Sequence, residues 1–372
     1  MEKRGCEFMG ADVVTREQMR HLLDDWYHSM LKQDVVKAKV LNEEIESKVI
    51  YIKEDQYAAF YHALLKFRYH VLIDSLSITE NSFDEINTFI IPDDALLTHY
   101  YHLFKGIHAM YISNYIESQN HFEEAGKLIK YITSSLEHAE FNYRFAYLSY
   151  QTYKPLMAID QIRLAKDEYE KHPGYEVCIA LCENIFAMAC IDLKQYEQAE
   201  EKLNLALDVF QKIDNERFIT MVRHNLAWLY ASQNLSSLAI RHLVEVIKSN
   251  PKHFKAMFVL AREYYKIGKI DTAAELIEKG LDICNKIQNK EFQHRFVILK
   301  EMNQKTSSVL LESTILNGIL YFEKEGLLDC IQEYTEILAM QFYKEENHVK
   351  ASKYFYINNQ AQKKHLEKGA LK

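Results

Sequence analysis

A recurring pattern of small and aromatic residues constrains the fold of this chain more than any other feature of its sequence. The clearest copy consists of Ala187, Tyr196, Ala199, Leu203 and Ala206. The same order of residue types returns along the chain, and the small residue that opens the second half of each unit is Ser118, Ala158, Ala199, Ala239 and then Ala273. Successive steps between these positions are therefore 40, 41, 40 and 34 residues. Such a period indicates an array of repeated supersecondary units.

The repeated residues indicate pairs of antiparallel helices. A small side chain on the first helix admits a bulky side chain from the second, and stacked pairs bury the remaining apolar surface together. Only 10 glycines and 4 prolines occur in 372 residues, which favours long helices joined by short loops. The units resemble tetratricopeptide repeats. We therefore predict an all-α fold in which residues 95–372 form a superhelix of about seven repeats.

A different pattern precedes the array. Apolar residues at helical spacing predict one helix around Leu22 to Met30, a second containing Val36, Val40 and Ile45, and a third from Asp55 to Asp74. Residues 1–74 are accordingly predicted to form a three-helix bundle. The periodicity lapses in residues 75–94, which are rich in Ser, Thr, Asn and Asp and contain Pro92, so this segment is predicted to be a linker.

Charge and composition limit the classes of partner. The formal net charge is −8, and no run of Lys and Arg forms a basic stripe, so direct binding to nucleic acid is disfavoured. Neither a secretory leader nor a membrane-spanning segment is evident, and the six cysteines sit mostly inside helical patterns. These features predict a cytoplasmic protein with reduced, packed thiols and no direct contact with a membrane.

Familiar catalytic motifs are missing from the sequence. It contains no phosphate-binding glycine loop, nucleophile elbow or paired Cys-x-x-Cys spacing. Cys178 and Cys182 lie four residues apart, and His102 lies near His108, but neither pair has a second pair at metal-site spacing. We therefore expect no metal site and no cofactor of its own.

The third predicted helix has a second apolar face beside its core stripe. Gln56 begins this helix, and the face continues through Ala59, Phe60, Ala63 and Phe67. One explanation is that the face packs on another helix or on the repeats. The other is that it forms a docking surface for a partner protein, with one amide projecting from its tip.

The first helix of each repeat is expected to line a concave groove. Its exposed positions carry aromatic, amide and charged side chains, which suit an extended peptide, because an Asn can bond both the N–H and the C=O of a peptide backbone and a carboxylate can pair with a basic group. The candidate peptide-binding residues on these helices are Tyr150, Asn184, Asp192, His224, Asn225, Trp228 and Arg262. A solvated polar lining without a ligand is the alternative.

Several motifs in order resemble one known family. The sequence LLDDWY at residues 22–27, then Asp55-Gln56 at the start of a helix that closes with Phe67-Arg68, then the repeat array, is similar to the Rap family of Gram-positive quorum-sensing regulators. The likeness covers almost the whole chain. It implies that the N-terminal bundle binds a response regulator and that the repeat groove binds a short secreted and re-imported signalling peptide.

The resemblance also implies roles for individual residues. In one class of the family, a glutamine at the position of Gln56 acts on the aspartyl phosphate of a sporulation phosphorelay regulator, whose own site supplies Mg²⁺. Asp55, Ala59, Phe60, Ala63 and Phe67 would then contact that regulator. In the groove, Asp192 and Asn225 fall at the family's side-chain-reading carboxylate and backbone-gripping asparagine, and Glu301 matches a further acidic contact.

A second class of the family works without catalysis. Its members sequester a response-regulator transcription factor, which the peptide releases, and the sequence leaves the choice between the two outputs open. The resemblance further suggests that peptide binding tightens the superhelix and draws the bundle onto the first repeats, hiding Gln56, Phe60 and Phe67. The identity of the peptide, the particular regulator and the oligomeric state do not follow from the sequence.

Overall fold

The structure is a computed structural model that describes residues 16–53 and 55–369. Within these ranges every regular element is helical, which confirms the predicted all-α class. Cys6 lies outside the described residues, and the five described cysteines are buried thiols. None of the described helices combines the length and apolar character that a bilayer span requires.

The described residues up to Asp74 form three main helices and one short helix. They are α1 (Arg16–Leu31), α2 (Val35–Ser47), the five-residue α3 (Val49–Lys53) and α4 (Gln56–Asp74). Asp34 caps α2 by accepting a hydrogen bond from the Lys37 N–H. In α2 the buried residues are Ala38 and Ile45, whereas Val36 and Val40 of the predicted apolar pattern are exposed. Most of the buried apolar side chains of the bundle lie on α1 and α4, with Trp26 fully buried.

The segment between bundle and repeats is folded. It contains two 3-10 turns, Ser75–Ser77 and Glu80–Phe83, and then α5 (Asp84–Asn87). Thr79 and Ser82 form a reciprocal capping box at the second turn. Phe83 and Ile86 are buried in the same core as the bundle and the first repeat. Two apolar residues therefore anchor this segment, although most of its residues are polar.

Seven helix pairs follow within residues 95–369, which confirms the predicted repeat array. The first helices of the pairs are α6 (Ala95–Tyr111), α8 (Ser135–Gln151), α10 (Glu176–Asp192), α12 (Glu216–Ser232), α14 (Phe254–Lys266), α16 (Lys290–Asn303) and α18 (Leu328–Lys344). Their partners are α7 (Tyr115–Leu128), α9 (Pro155–Tyr169), α11 (Tyr196–Lys212), α13 (Ser236–Ser249), α15 (Ile270–Ile287), α17 (Ser308–Glu325) and α19 (His348–Gly369). The small residues of the repeat pattern are buried between the helices of each pair.

The superhelix brings its last repeats against its first. The Glu325 carboxylate of α17 accepts a hydrogen bond from the Tyr115 N–H of α7 at 2.9 Å. The Tyr321 hydroxyl donates to the carbonyl oxygen of Ser113, and the Asn289 amide donates to the Ser113 hydroxyl at 3.2 Å. One hydrophobic cluster accordingly joins the bundle, the first repeats and the last repeats. The inner helices enclose a groove.

Candidate functional site

The concave side of the repeats forms a cavity of about 530 Å³. Helices α8, α10, α12, α14 and α16 provide most of its wall, and α4 closes one end of it with Arg68, Val71 and Leu72. Tyrosines are prominent in the lining, which includes Tyr111, Tyr143, Tyr147, Tyr150 and Tyr153. An enclosed wall of aromatic rings with scattered polar groups is typical of a ligand site.

Five of the predicted peptide-binding residues line this cavity, namely Tyr150, Asn184, His224, Asn225 and Trp228. The Asn225 amide on α12 donates to the side-chain oxygen of Asn184 on α10 at 2.7 Å, so the two amides form a pair across neighbouring repeats. Each amide still has further donor and acceptor capacity toward a peptide backbone. Sequence reasoning thus brought together residues from three consecutive inner helices.

The cavity lining does not include three further predicted residues, Arg262, Asp192 and Glu301. The Arg262 guanidinium sits 4.9 Å from the centre of the Trp228 ring and 3.5 Å from a Glu333 oxygen. Arg262 therefore holds the Trp228 ring from behind by a cation–π contact. In Glu301, at the end of α16, one carboxylate oxygen is buried without a hydrogen-bond partner.

A carboxyl group with a buried oxygen, that of Asp192, lies at the end of α10. One of its oxygens is buried without a hydrogen-bond partner. Burial, together with the nearby Asp329 carboxylate, raises the pKa of Asp192 well above its ordinary value. Burial also raises the pKa of Asp329 to about 6, although the Arg295 guanidinium opposes this shift. A cationic group placed between the two carboxylates would relieve both penalties.

Burial favours the neutral form of two histidines in the groove wall. Burial lowers the pKa of His253 to about 4 and lowers that of His224 well below the ordinary value. Their rings lie 4.9 Å apart, and the His253 Nδ1 accepts a hydrogen bond from the Ala256 N–H at the start of α14. These side chains therefore offer uncharged imidazole surface to a ligand.

Sequence reasoning missed two cations in the same cavity, Arg217 on α12 and Lys255 on α14. Arg217 lies seven positions before His224, and Lys255 lies seven positions before Arg262. Both His224 and Arg262 had been predicted to bind the peptide. Seven residues correspond to two helical turns, so each pair shares a helix face. Arg217 and Lys255 would have been predicted if the groove-lining face had been followed to the start of each helix.

At the tip of α4, Gln56 is exposed. Asp55 precedes it as the helix cap, accepting hydrogen bonds from the N–H groups of Tyr57 at 3.0 Å and Ala58 at 3.4 Å. The Arg20 guanidinium contacts the other Asp55 oxygen at 3.4 Å. The first turn of α4 is thereby fixed while the Gln56 side chain remains free to reach a partner molecule.

The remaining predicted docking residues are mostly covered. Phe60, Ala63 and Phe67 are buried, and Ala59 is half-buried. The Phe67 ring packs edge-on against Phe83 at 5.0 Å, and the Phe60 ring lies 5.7 Å from Phe89. In this arrangement the second apolar face of α4 is covered by residues 75–94 and by the first repeat. This is the first of the two explanations given for that face, in which it packs within the chain.

A buried polar network joins the bundle to the repeats. The Arg68 guanidinium of α4 lies 3.2 Å from a Glu140 oxygen on α8, and Arg144 donates to the same oxygen at 2.8 Å. One turn away, Glu137 accepts hydrogen bonds from the hydroxyls of Tyr27 at 2.9 Å and Tyr100 at 2.7 Å. Arg68 therefore fixes α4 against α8, the first helix of the second repeat.

The described residues contain no cluster of three or more His, Cys, Asp or Glu placed to hold a metal ion. Cys178, one of the two cysteines spaced four apart, donates its thiol hydrogen to the Leu31 carbonyl at 3.2 Å. Burial raises the pKa of both the Cys178 and the Cys182 thiols. Both cysteines are therefore buried thiols, and Cys178 contacts the end of α1.

Comparison with known proteins places this architecture in a recognised group. Residues 13–74 match the family described as response regulator aspartate phosphatase H, N terminal. Response regulator aspartate phosphatase H of Bacillus subtilis (strain 168) is 26% identical over 337 residues, covering 86% of this chain and 88% of that protein. Regulatory protein RapF of the same organism is 23% identical over 363 residues, covering 92% and 94%.

Solved structures share the fold. A Rap protein complexed with Competence and Sporulation Factor superposes with a TM-score of 0.78 at 22% identity, covering 95% of this chain and 99% of that one. The apo form of RapI, also 22% identical with the same coverage, gives 0.54. Fold and groove define a tetratricopeptide-type repeat protein with an N-terminal helical bundle. The match to the bundle and the relatives along nearly the full chain show that this chain is similar to the Rap proteins.

Proposed function

We propose that this protein binds a response regulator through α4 and promotes hydrolysis of its aspartyl phosphate. The observation that carries the proposal is the exposed Gln56 side chain on a capped helix start, where it can enter a partner's site. A carboxamide can orient a water molecule in line with phosphorus without changing its own protonation state. The name of the relative response regulator aspartate phosphatase H supports this activity.

The phosphoryl group and its metal belong to the partner. The response regulator would supply the phosphoaspartate together with Mg²⁺, which neutralises charge on the transferred phosphoryl group. Gln56 would position the water, and Asp55 would hold the helix start that carries Gln56. Asp55, Ala59, Phe60, Ala63 and Phe67 would form the contact surface around Gln56.

A short signalling peptide in the groove would regulate this activity. In the present arrangement Phe60 and Phe67 are buried under Phe83 and Phe89, so a regulator has no access to them. The better superposition on the Rap protein complexed with Competence and Sporulation Factor than on apo RapI supports reading this shape as the ligand-bound arrangement. A peptide that prefers this arrangement would withdraw the docking surface and inhibit the protein.

The size of that preference can be bounded. Moving an equilibrium from 1% to 99% closed requires about 5.5 kcal/mol of differential binding free energy. The groove offers the ring of Tyr150 on α8, the Asn184–Asn225 amide pair across α10 and α12, and the ring of Trp228 on α12, so its polar and aromatic groups lie on three consecutive inner helices. An extended peptide that contacts all three helices would favour the arrangement in which they are drawn together.

Sequestration of a response-regulator transcription factor without catalysis is the second candidate function. The relative named Regulatory protein RapF supports it. The same face of α4 would serve as the contact surface, but no bond would be broken and Gln56 would be one contact among several. The two functions therefore differ in their dependence on the Gln56 carboxamide.

The test measures loss of phosphate from a phosphorylated sporulation-phosphorelay response regulator in the presence of Mg²⁺. Gln56→Ala should lower the rate at least about a hundredfold, by analogy with loss of one positioned polar group, while binding to the regulator is retained. Gln211→Ala, at an exposed position on α11, is the matched control and should behave like the wild type. Stable phosphate with wild-type protein and tight binding would replace the phosphatase proposal by sequestration.

A further inference from the structure

The groove wall carries an excess of positive charge within an acidic protein. The formal net charge of the chain is −8. The charged residues lining the cavity are nevertheless five cations, Arg68, Arg144, Arg217, Lys255 and Arg295, and three carboxylates, Asp74, Glu216 and Glu291. A concave wall of one dominant sign, bounded by low-dielectric protein, concentrates its field on whatever enters.

Three of the five cations already have carboxylate partners. Arg68 and Arg144 share Glu140, as described above, and Arg295 lies 2.9 Å from Glu291. Arg217 and Lys255 differ from them, because neither forms a salt bridge within the part of the chain that the structure describes. Two positive groups in one cavity thus lack a direct ion-pair contact among the described residues.

Neighbouring aromatic rings orient both of these cations. The Arg217 guanidinium lies 4.6 Å from the centre of the Phe218 ring, and the Lys255 ammonium lies 5.5 Å from that of Phe292. The surrounding protein lowers the pKa of Arg217 to about 10, and nearby Arg68 and Arg144 add to the shift. Burial likewise lowers the pKa of Lys255, with Glu291 opposing. An anion bound beside Arg217 and Lys255 would favour the charged form of both groups.

We propose that Arg217 and Lys255 form a carboxylate-binding subsite for the peptide held in this groove, an inference that rests on the proposed peptide regulation. The carboxylate has two sources, the peptide's C-terminus or an Asp or Glu side chain. Arg217 can bind it through two parallel N–H groups, and Lys255 adds a point charge. Asp192 lies at the C-terminal end of α10, whereas Arg217 and Lys255 lie near the N-terminal ends of α12 and α14. The groove would therefore select a peptide that carries both a basic and an acidic group.

The test is affinity selection from three synthetic pools of randomised pentapeptides. The first pool has a free C-terminus and lacks Asp and Glu, the second is amidated and contains them, and the third is amidated and lacks them. Full-length wild-type protein is compared with Arg217→Gln and Lys255→Gln. Arg241→Gln and Lys248→Gln are the matched controls, since both residues are exposed on the outer helix α13. Mass spectrometry measures the retained peptides.

Wild-type protein should retain peptides from the first or the second pool at least about tenfold more than from the third, as expected for a charge-assisted contact. The pool that is preferred identifies the source of the carboxylate. Arg217→Gln and Lys255→Gln should lose the preference and the two controls should keep it. Equal retention from all three pools would overturn the carboxylate subsite while leaving peptide binding intact. No retention from any pool would overturn the proposed peptide regulation, and this inference with it.

Discussion

Two glutamates one helical turn apart have opposite electrostatic surroundings. Burial raises the pKa of Glu137 to about 7, because its partners are the neutral hydroxyls of Tyr27 and Tyr100. Glu140 is equally buried, yet the Arg144 and Arg68 guanidiniums outweigh its burial and lower its pKa. The same residue type therefore has a different role at each position, since a buried carboxylate is held ionised only where a cation faces it.

Glu137 should make stability depend on pH. Its pKa is raised on folding, so the stabilisation is complete below its ordinary pKa of 4.5 and is lost as the pH rises through about 7. The shift corresponds to about 3 kcal/mol. Glu137→Gln removes this titration and should unfold at a higher urea concentration than the wild type at pH 8, but at a similar concentration at pH 5. If the urea midpoints of Glu137→Gln and the wild type differ by the same amount at pH 5 and at pH 8, this role of Glu137 is contradicted.

At the scale of helices, close approach between repeats depends on residues without a side chain. A Cβ at Gly280 of α15 would lie 2.1 Å from the Phe296 Cζ of α16, and two further ring atoms of Phe296 would lie within 2.8 Å. Phe296 is fully buried, so its ring has no space into which it can move. Here the glycine is required by packing across two successive repeats.

Gly280→Ala is expected to lower the free energy of unfolding by about 1–3 kcal/mol, the usual cost of overpacking. This loss should outweigh the roughly 1 kcal/mol that Ala normally gains over Gly inside a helix. Gly126→Ala in α7 is the control, since its Cβ would meet only the Phe141 ring, at 3.2 Å and beyond. Urea unfolding midpoints measure both variants. Equal effects would show that helix propensity, not the Phe296 ring, decides the outcome.

The helix pairs could be predicted because their determinants are local. Ala187, Ala199 and Gly280 recur at fixed spacings, so both the presence of the helices and the small positions between them followed from the pattern. The packing of Gly280 against Phe296 did not follow from it, because that contact joins two units where the repeat pattern has diverged. Groove residues near the pattern, such as Asn225, were found, whereas Arg217 and Lys255 lay at the less regular helix starts.

Contacts distant in sequence determine the arrangement of the whole molecule. The sequence left open whether Phe60 and Phe67 face a partner or another part of the chain. In this structure Phe83 and Phe89 cover them, although both belong to a segment whose polar composition predicts a linker. Local pattern carries no information about such a contact. The bundle then rests on α8 through Arg68, whose charge Glu140 compensates at 3.2 Å.

Glu140→Gln should therefore separate the bundle from the repeats. The substitution leaves Arg68 and Arg144 buried together without a carboxylate, and loss of one partner from a buried ionic network typically costs about 3–5 kcal/mol. Arg68 would regain water only if the bundle moved away, so the open arrangement becomes favoured. Small-angle X-ray scattering should show a larger radius of gyration, and peptide affinity should fall in proportion to the closed fraction.

Glu85→Gln is the matched control for this separation. Glu85 lies 3.5 Å from Lys66 of α4, but both side chains are more than half exposed, and such surface pairs contribute at most about 1 kcal/mol. Its radius of gyration should equal that of the wild type. If Glu140→Gln keeps the wild-type radius and peptide affinity as well, the Arg68–Glu140 contact does not hold the closed arrangement. The apolar contacts of Phe60 and Phe67 would then suffice to keep the bundle in place.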